Sequence, residues 1–342
     1  MSSRVLKNLK NLTQKDISSA GGKGASLGKM VRAGIPMPGG FVILTSAFEK
    51  FLKEAKIDAE IEKILKTIDI KDTGSITKSS KILNNLICQS KMPEDIEKEI
   101  LAEFGKLKRD RASVAAVDSR LRGNDNTEYR GNNKAVPLYV AVRSSATSED
   151  GKMDSWAGQL ESYLNVTKKD LIENIKKCWA SLYGERALFY GIKKGLVNKK
   201  NSVAVIVQKM VQSEVSGVCF TVHPVSKNKN QLIIEAGYGL GEAIVSGMIT
   251  PDNYMVDKVN LKILDKNIFD QKKMIIKTGS ENKDIKVDLR KSKLQKLSDS
   301  DIMKLSEMCI RIENYHQKPQ DIEWALENNK LYILQSRPIT TL

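Results

Sequence analysis

The segment Asp321-Ile-Glu-Trp-Ala-Leu-Glu-Asn-Asn-Lys-Leu-Tyr-Ile-Leu-Gln-Ser-Arg337 sets carboxylates, an amide and a guanidinium at two-residue spacing. Ile322, Trp324 and Leu326 alternate with Asp321, Glu323 and Ala325, and Tyr332 and Leu334 alternate with Ile333, Gln335 and Arg337. Every second residue of a strand shares a face, so this spacing predicts two short strands around a tight turn, each with one apolar face and one face with a polar end. Carboxylate and amide oxygens suit a hard cation such as Mg²⁺, and a guanidinium grips phosphate in a bidentate fork. The same pattern also fits an ordinary amphipathic hairpin with a solvated polar face, and the segment alone does not choose.

Two further stretches carry residues suited to phosphate. Gly21-Gly-Lys-Gly-Ala-Ser-Leu-Gly-Lys-Met-Val-Arg-Ala-Gly34 predicts a glycine-rich loop running into a helix. Glycines let backbone N–H groups approach an anion, a helix N-terminus adds positive potential, and Lys23 can neutralise phosphate charge. The spacing is not that of a Walker loop, and a plain glycine turn is the alternative. Leu138-Tyr-Val-Ala-Val-Arg-Ser-Ser-Ala146 predicts a strand that delivers Arg143 and two hydroxyls at its end. Arg143 there is either a phosphate clamp or the partner of Glu149 or Asp150.

These motifs need elements to position them. Phe41–Leu44, the apolar runs 202–211 and 215–222, and Gln231–Glu242 read as strands, the last running into a glycine-rich loop. Residues 46–104 read as mostly helical and 252–290 as short strands. Residues 297–316 form one amphipathic helix capped by Ser298 or Ser300. Residues 109–136, rich in Arg, Asn, Asp and Gly, break the pattern and predict a loosely held surface insertion.

A chain of 342 residues can bury a large core and divide into two lobes. Its 41% hydrophobic and 28% charged residues are ordinary for a globular protein. No apolar run reaches the ~18 residues that span a bilayer, and the N-terminus has no signal-peptide pattern, so a cytoplasmic, membrane-free location is expected. Cys88, Cys178, Cys219 and Cys309 are widely separated, which disfavours a disulfide framework or a zinc site. The net charge of +15 comes from scattered lysines without an interleaved aromatic stripe, so no nucleic-acid partner is expected.

Taken in order, Gly21–Pro38, Val140–Asn165, Val207–Pro224, Ile233–Asp257 and Lys318–Thr340 resemble the nucleotide-binding domain of the phosphoenolpyruvate synthase and pyruvate phosphate dikinase family, shared with the rifampicin phosphotransferases. The resemblance covers nearly all of the chain except 109–136. It implies an α+β, two-lobed ATP-grasp fold, with residues 1–197 as the first lobe, 198–342 as the second, and Mg-ATP between them. By position, Lys23 and Arg143 hold phosphates, and Gly158, Ser162 and Tyr163 lie in a loop that covers them. Gln208, Met210 and Val211 line the adenine pocket, Glu214 takes the ribose, Glu323 and Gln335 bind Mg²⁺, and Arg337 stabilises the transferring group. Arg143 and Arg337 are the catalytic pair.

In the family a carrier histidine on a further domain takes the phosphoryl group. The chain has only His223 and His316, both read as structural, so the carrier is expected on a separate chain, or the gene product is incomplete. The expected function is thus an ATP-dependent phosphotransferase domain of the phosphoenolpyruvate synthase type. The alternatives are a non-catalytic ATP-binding remnant or regulator, and half of a small-molecule (rifampicin-type) phosphotransferase.

A shared metal also constrains the terminal hairpin. A two-residue turn, Asn328-Asn329, would set Glu323 against Leu334 and turn Gln335 to the other face. A three-residue loop, Asn328-Asn329-Lys330, or an equivalent bulge would set Glu323 opposite Gln335 and Asp321 opposite Arg337. With the three-residue loop, Tyr332 and Leu334 would join Ile322, Trp324 and Leu326 on the apolar face.

Overall fold

The computed structural model describes residues 5–121, 137–146, 160–195, 202–278 and 281–339, with the backbone alone for 108–121. It divides into two compact units, residues 1–24 with 39–209 and residues 25–38 with 210–342.

The first unit contains β1 (Leu6–Asn8), the start of α1 (Ile17–Arg32), β2 (Gly40–Ile43), α2 (Thr45–Glu54), α3 (Asp58–Lys66), α4 (Thr73–Gln89) and α5 (Glu94–Leu121). It continues with β3 (Val140–Ala146), β4 (Ser162–Val166), α6 (Leu171–Ala180), α7 (Glu185–Lys193) and β5 (Val203–Lys209). Its sheet has the order β1-β2-β5-β3-β4, antiparallel throughout. The apolar run Val203-Ala-Val-Ile-Val-Gln takes the middle place and is buried along its length, as an unbroken apolar strand must be. β5 was expected after a lobe boundary at 198; it is the centre of this first sheet, and the division falls after Lys209.

Helices cover the sheet. Trp179 of α6 is fully buried and stacks on Phe48 and Phe51 of α2, with ring centroids 5.3 and 5.1 Å apart. Such aromatic pairs add about 1 kcal/mol each beyond the area they bury. α5 continues to Leu121, so the stretch 109–121, expected to be loose, is helical. Its apolar residues there are mostly Ala and Val, and Ala is the best helix former. The rest of that expected insertion, 122–136, lies outside the described residues.

The second unit contains β6 (Val215–Phe220), β7 (Gln231–Tyr238), α8 (Glu242–Val245), β8 (Asp252–Asp257), β9 (Lys262–Asn267), β10 (Lys273–Thr278) and β11 (Glu281–Lys286). α9 (Leu289–Ser292), α10 (Asp299–His316), β12 (Gln320–Glu327) and β13 (Lys330–Pro338) follow. Its main sheet runs β13-β12-β6-β7-β8-β9, again antiparallel, and β10 pairs with β11 in a separate ribbon. α10 starts where the sequence places it, with the Ser298 hydroxyl accepting the Asp301 N–H at 3.1 Å. Residues 25–38 belong to this unit and edge β13: Ile333 N–H donates to Pro36 O at 2.9 Å, and the Ser26 hydroxyl to Ser336 O at 3.2 Å. Gly217 of β6 is required by packing, since a Cβ there would stand 1.8 Å from Glu235 O and 2.8 Å from the buried Trp324 ring.

A buried ion pair holds the far side of this sheet. Asp252 and Lys296 are both 0% exposed and lie 2.8 Å apart. The carboxylate also accepts from Phe269 N, Lys296 N and the Tyr254 hydroxyl. The ammonium reaches Phe269 O and Ser292 O as well. Every strong donor and acceptor is used, which is what makes a buried pair tolerable. We expect Asp252→Asn to cost about 3 kcal/mol, because it leaves the buried ammonium uncompensated. Urea unfolding of the variant checks this, and a loss below about 1 kcal/mol would show that the ammonium finds water.

His316, at the end of α10, is held neutral. Burial lowers its pKa to about 4, with a smaller contribution from Lys29, whose ammonium sits 4.7 Å from the Tyr315 ring next along the chain. The ordinary value is about 6.5, so between about 4 and 6.5 the unfolded chain binds more protons than the folded one. Stability therefore rises with pH across that window, and falls as pH drops below about 6.5. Allowing for the partial exposure of the ring, the expected loss between pH 7 and 4.5 is about 1 kcal/mol. Denaturation midpoints of the wild type and His316→Gln across this range should diverge by that amount.

Candidate functional site

In the first unit the glycine stretch is not a loop before a helix. The helical run begins at Ile17 and breaks once, at Gly21, with φ 72° and ψ 168°. Only glycine takes this conformation readily. A Cβ there would also lie 2.2 Å from Ser145 Oγ and 2.4 Å from Ser145 O. The Ser145 hydroxyl spans the break, donating to Ala20 O at 2.9 Å and accepting the Gly24 N–H at 3.1 Å. Lys23 Nζ lies 3.4 Å from Ser144 O. The glycine segment is thus strapped to β3, the strand that carries Arg143.

Arg143 is half-buried and sits between β5 and β4, in register with Ile206 and Ser162. Directly opposed residues share a face, so Arg143 and Ser162 stand side by side. Ser162 and Tyr163, expected in a covering loop, lie on β4; Gly158 lies outside the described residues. The Tyr163 hydroxyl is pushed well above its ordinary pKa by burial, then by Cys178 and Glu161, so it remains a proton donor. Ser144 and Ser145, read as hydroxyls beside a phosphate clamp, are fully buried. The Ser144 hydroxyl has one proton to give, to Glu161 O at 3.0 Å or to Cys178 O at 3.3 Å, so both serines position their neighbours. Gln208 closes β5, is 3% exposed, and pairs in register with Gly40 and Ala141.

In the second unit Met210 and Val211 open the segment that leads into β6. Met210 packs on a small cluster of Leu240, Ala243 and Ile275, beside Ile249. Glu214 is exposed, and its Oε1 accepts the Asn328 N–H at 3.0 Å while its own N–H donates to Leu326 O at 2.9 Å. The carboxylate read as a ribose ligand therefore also braces the hairpin turn.

Of the two expected routes, a three-residue loop or an equivalent bulge, that hairpin takes the bulge. Glu327 pairs with Lys330 around a two-residue turn, and both Asn328 and Asn329 have positive φ, 50° and 57°. These are the dihedrals of a type I′ turn, which asparagine tolerates. A bulge between Glu323 and Trp324 then shifts the register by one residue. Trp324 pairs with Ile333, but Glu323 pairs with Gln335 and Asp321 with Arg337. Leu331 and Ile333, not Tyr332 and Leu334, join Ile322, Trp324 and Leu326 in the buried layer. The bulge brings all four polar groups to one face.

Arg337 Nη2 and Nε hold Asp321 Oδ2 at 2.7 and 2.8 Å. Burial still raises the Asp321 carboxyl above its ordinary pKa, Arg337 pulls it back, and Glu323 adds a small push. Glu235 of β7, not singled out in the sequence, is raised by burial and by Asp321. It lies across Val218 from Glu323, which gives a row Glu235–Val218–Glu323–Gln335 over four strands. Its one sequence signal is a single acid inside the apolar run Leu232-Ile-Ile-Glu-Ala236.

Among the described residues no three His, Cys, Asp or Glu side chains gather as a self-sufficient metal site. The donors present fit a hard cation that takes most of its ligands elsewhere: Glu323 offers a carboxylate, and the 8% exposed Gln335 an amide oxygen directly opposite. Mg²⁺ binds in this way, through one or two protein oxygens plus phosphates and water. No helix among the described residues is long and apolar enough to cross a membrane.

Comparison with known proteins identifies the family of the chain. The family model "Pyruvate phosphate dikinase, AMP/ATP-binding domain" matches residues 17–342. Proteins named probable phosphoenolpyruvate synthase from Methanocaldococcus jannaschii and Archaeoglobus fulgidus are 40% and 44% identical, each over 98% of this chain but over 26% and 41% of their own lengths. The rifampicin phosphotransferase of Bacillus subtilis is 35% identical over all of this chain and 36% of its own length. The chain thus spans less than half of each of these relatives. It is an α+β domain of the ATP-grasp type, and it belongs to the pyruvate phosphate dikinase AMP/ATP-binding domain family.

Proposed function

We propose that this chain binds Mg-ATP and supplies its phosphoryl group to a carrier histidine outside residues 1–342, as the first half of a phosphoenolpyruvate synthase-type reaction. The observation that carries the reading is the bulged hairpin, which sets Glu323 opposite Gln335 and Asp321 opposite Arg337 in a chain of an ATP-binding family. Lys23 and Arg143 are assigned to the phosphates, the backbone of Met210 and Val211 to the base, with Gln208 beside it, and Glu214 to the ribose through its remaining oxygen. Glu323 and Gln335 are assigned to Mg²⁺, whose chemistry is to neutralise charge on bridging phosphate oxygens. Ser162 and Tyr163 are assigned to the phosphate end beside Arg143.

In the transfer, the P–O bond to the leaving phosphate breaks and a P–N bond forms on the imidazole. Such a step needs positioning and cationic stabilisation, with little covalent help from the protein. Arg143 and Arg337 supply the cations. Arg337 is held meanwhile by the Asp321 carboxylate, which a phosphate would displace.

The two histidines of the chain are engaged otherwise. His223 Nδ1 accepts the N–H groups of Val225 and Ser226, both at 3.2 Å, and so caps its own turn. His316 is buried at Nε2 and held neutral. One nitrogen of each is thus occupied or buried, which favours an external carrier. The match to a rifampicin phosphotransferase leaves the final acceptor open, because both classes share this first step.

Calorimetry with ATP and Mg²⁺ tests the binding half, and labelled ATP plus the histidine-bearing domain of a phosphoenolpyruvate synthase tests transfer. Acid-labile label on the added domain is the expected result. Arg143→Ala and Arg337→Ala should each lower transfer by at least about 100-fold, the scale of a lost transition-state cation. Absence of ATP binding, or either variant retaining near-wild-type transfer, overturns the assignment. Gly21→Ala should weaken ATP binding by about ten-fold or more, since a side chain at φ 72° must displace Ser145. Unchanged affinity would show that the break at Gly21 is not part of the phosphate site.

A further inference from the structure

The segment from Met210 to Glu214 and the Asn328-Asn329 turn hold each other through a reciprocal clasp. Glu327 Oε1 accepts the Gln212 N–H at 3.1 Å, and Glu214 Oε1 accepts the Asn328 N–H at 3.0 Å. Between these two bonds, the Glu214 N–H donates to Leu326 O at 2.9 Å. Each carboxylate thus serves the other segment's backbone, and the arrangement lies wholly within the second unit. On its other side the segment is tied to the glycine turn after β7: Gly239 N–H donates to Glu214 O at 3.0 Å, and the Ser213 hydroxyl to Gly239 O at 2.9 Å.

From this geometry we propose that Glu327 is a positioning residue for the nucleotide base, acting through Gln212; this rests on the assignment of Met210 and Val211 to the base made above. A segment that recognises a base through its backbone has no side chain whose rotamer can correct a misplaced amide. Its accuracy depends on what fixes the main chain. Here the fixing group is a carboxylate on a rigid two-residue hairpin, whose strands also carry Glu323 and Gln335. A charge-assisted bond to a backbone N–H is the stronger kind of hydrogen bond. The clasp therefore sets the base end of the site in register with the metal-binding pair. In sequence Glu327 reads as a polar residue beside a turn, and nothing there marks it as bound to a segment 115 residues earlier.

The test compares the full chain with Glu327→Ala and Glu327→Gln. ATP and inorganic tripolyphosphate are titrated separately in the presence of Mg²⁺, with melting temperature as a fold control. Glu327→Ala should weaken ATP about ten-fold, the value of one hydrogen bond to a charged group, and change tripolyphosphate less than about two-fold. Glu327→Gln keeps an acceptor oxygen and should restore most of the ATP affinity. Hydrogen exchange at the Gln212 amide in the ligand-free chain should quicken in Glu327→Ala. Unchanged ATP affinity, equal loss for both ligands, or failure of Gln to rescue would overturn the positioning role. A wild-type chain that binds neither ligand would instead overturn the nucleotide site itself, and this role with it.

Discussion

A strand has no freedom to choose which face a residue takes, and the site on the second unit depends on how this chain escapes that constraint. The I′ turn at Asn328-Asn329 fixes Glu327 opposite Lys330. Counting back from that pairing in a regular ladder would put Glu323 opposite Leu334 and send Gln335 to the other face. One extra residue on β13, near Leu334, resets the count. The same short hairpin thereby does two jobs. Near the turn it feeds Leu326, Leu331, Trp324 and Ile333 into the buried layer. Past the bulge it gathers Asp321, Glu323, Gln335 and Arg337. Bulges disrupt the ladder and are found where a side chain must be re-aimed, and here the re-aimed residues are those assigned to the metal and phosphate.

The first unit solves its own positioning problem with hydroxyls. Arg143 has to stand at a fixed place beside a glycine break whose backbone is otherwise free to move. Ser145, two residues along β3, hydrogen-bonds both sides of that break, and Ser144 secures the segment before β4 and the end of α6. Because both serines are fully buried, their bonds do not compete with water. The pattern Arg-Ser-Ser thus holds one half-buried cation, assigned above to the phosphates, and two buried residues that hold its surroundings.

Much of this was legible in sequence. Period-2 alternation located the strands, the nearly continuous apolar run 202–211 located the strand at 203–209, and the two candidates Ser298 and Ser300 bracketed the start of α10. What alternation could not supply was the bulge, because it predicts a face only for an uninterrupted ladder. The asparagines favoured a turn with positive φ without fixing its length, so a three-residue loop and a two-residue turn with a bulge looked equivalent. Position along the chain also misplaced β5, since antiparallel sheets of this kind draw strands from far apart: β5 pairs with β3 and with β2, a strand near the start of the unit. Glu235, Ser145 and Glu327 stayed hidden because their partners lie on other strands or turns, and pairings at that distance leave no trace in local spacing.

The electrostatics of the second sheet give an independent reason to expect a cation there. Burial raises both Asp321 and Glu235; Glu323 raises Asp321 further, and Asp321 raises Glu235. Arg337 bonds Asp321 with two nitrogens, yet the Asp321 carboxyl still ends above its ordinary pKa. A divalent cation near Glu323 would lower the cost of keeping all three carboxylates charged, and would let Arg337 exchange its carboxylate for phosphate without leaving Asp321 uncompensated. On the assignment proposed above, a cation and the phosphate it accompanies would together replace the internal ion pair, which would link metal occupancy to the freedom of Arg337.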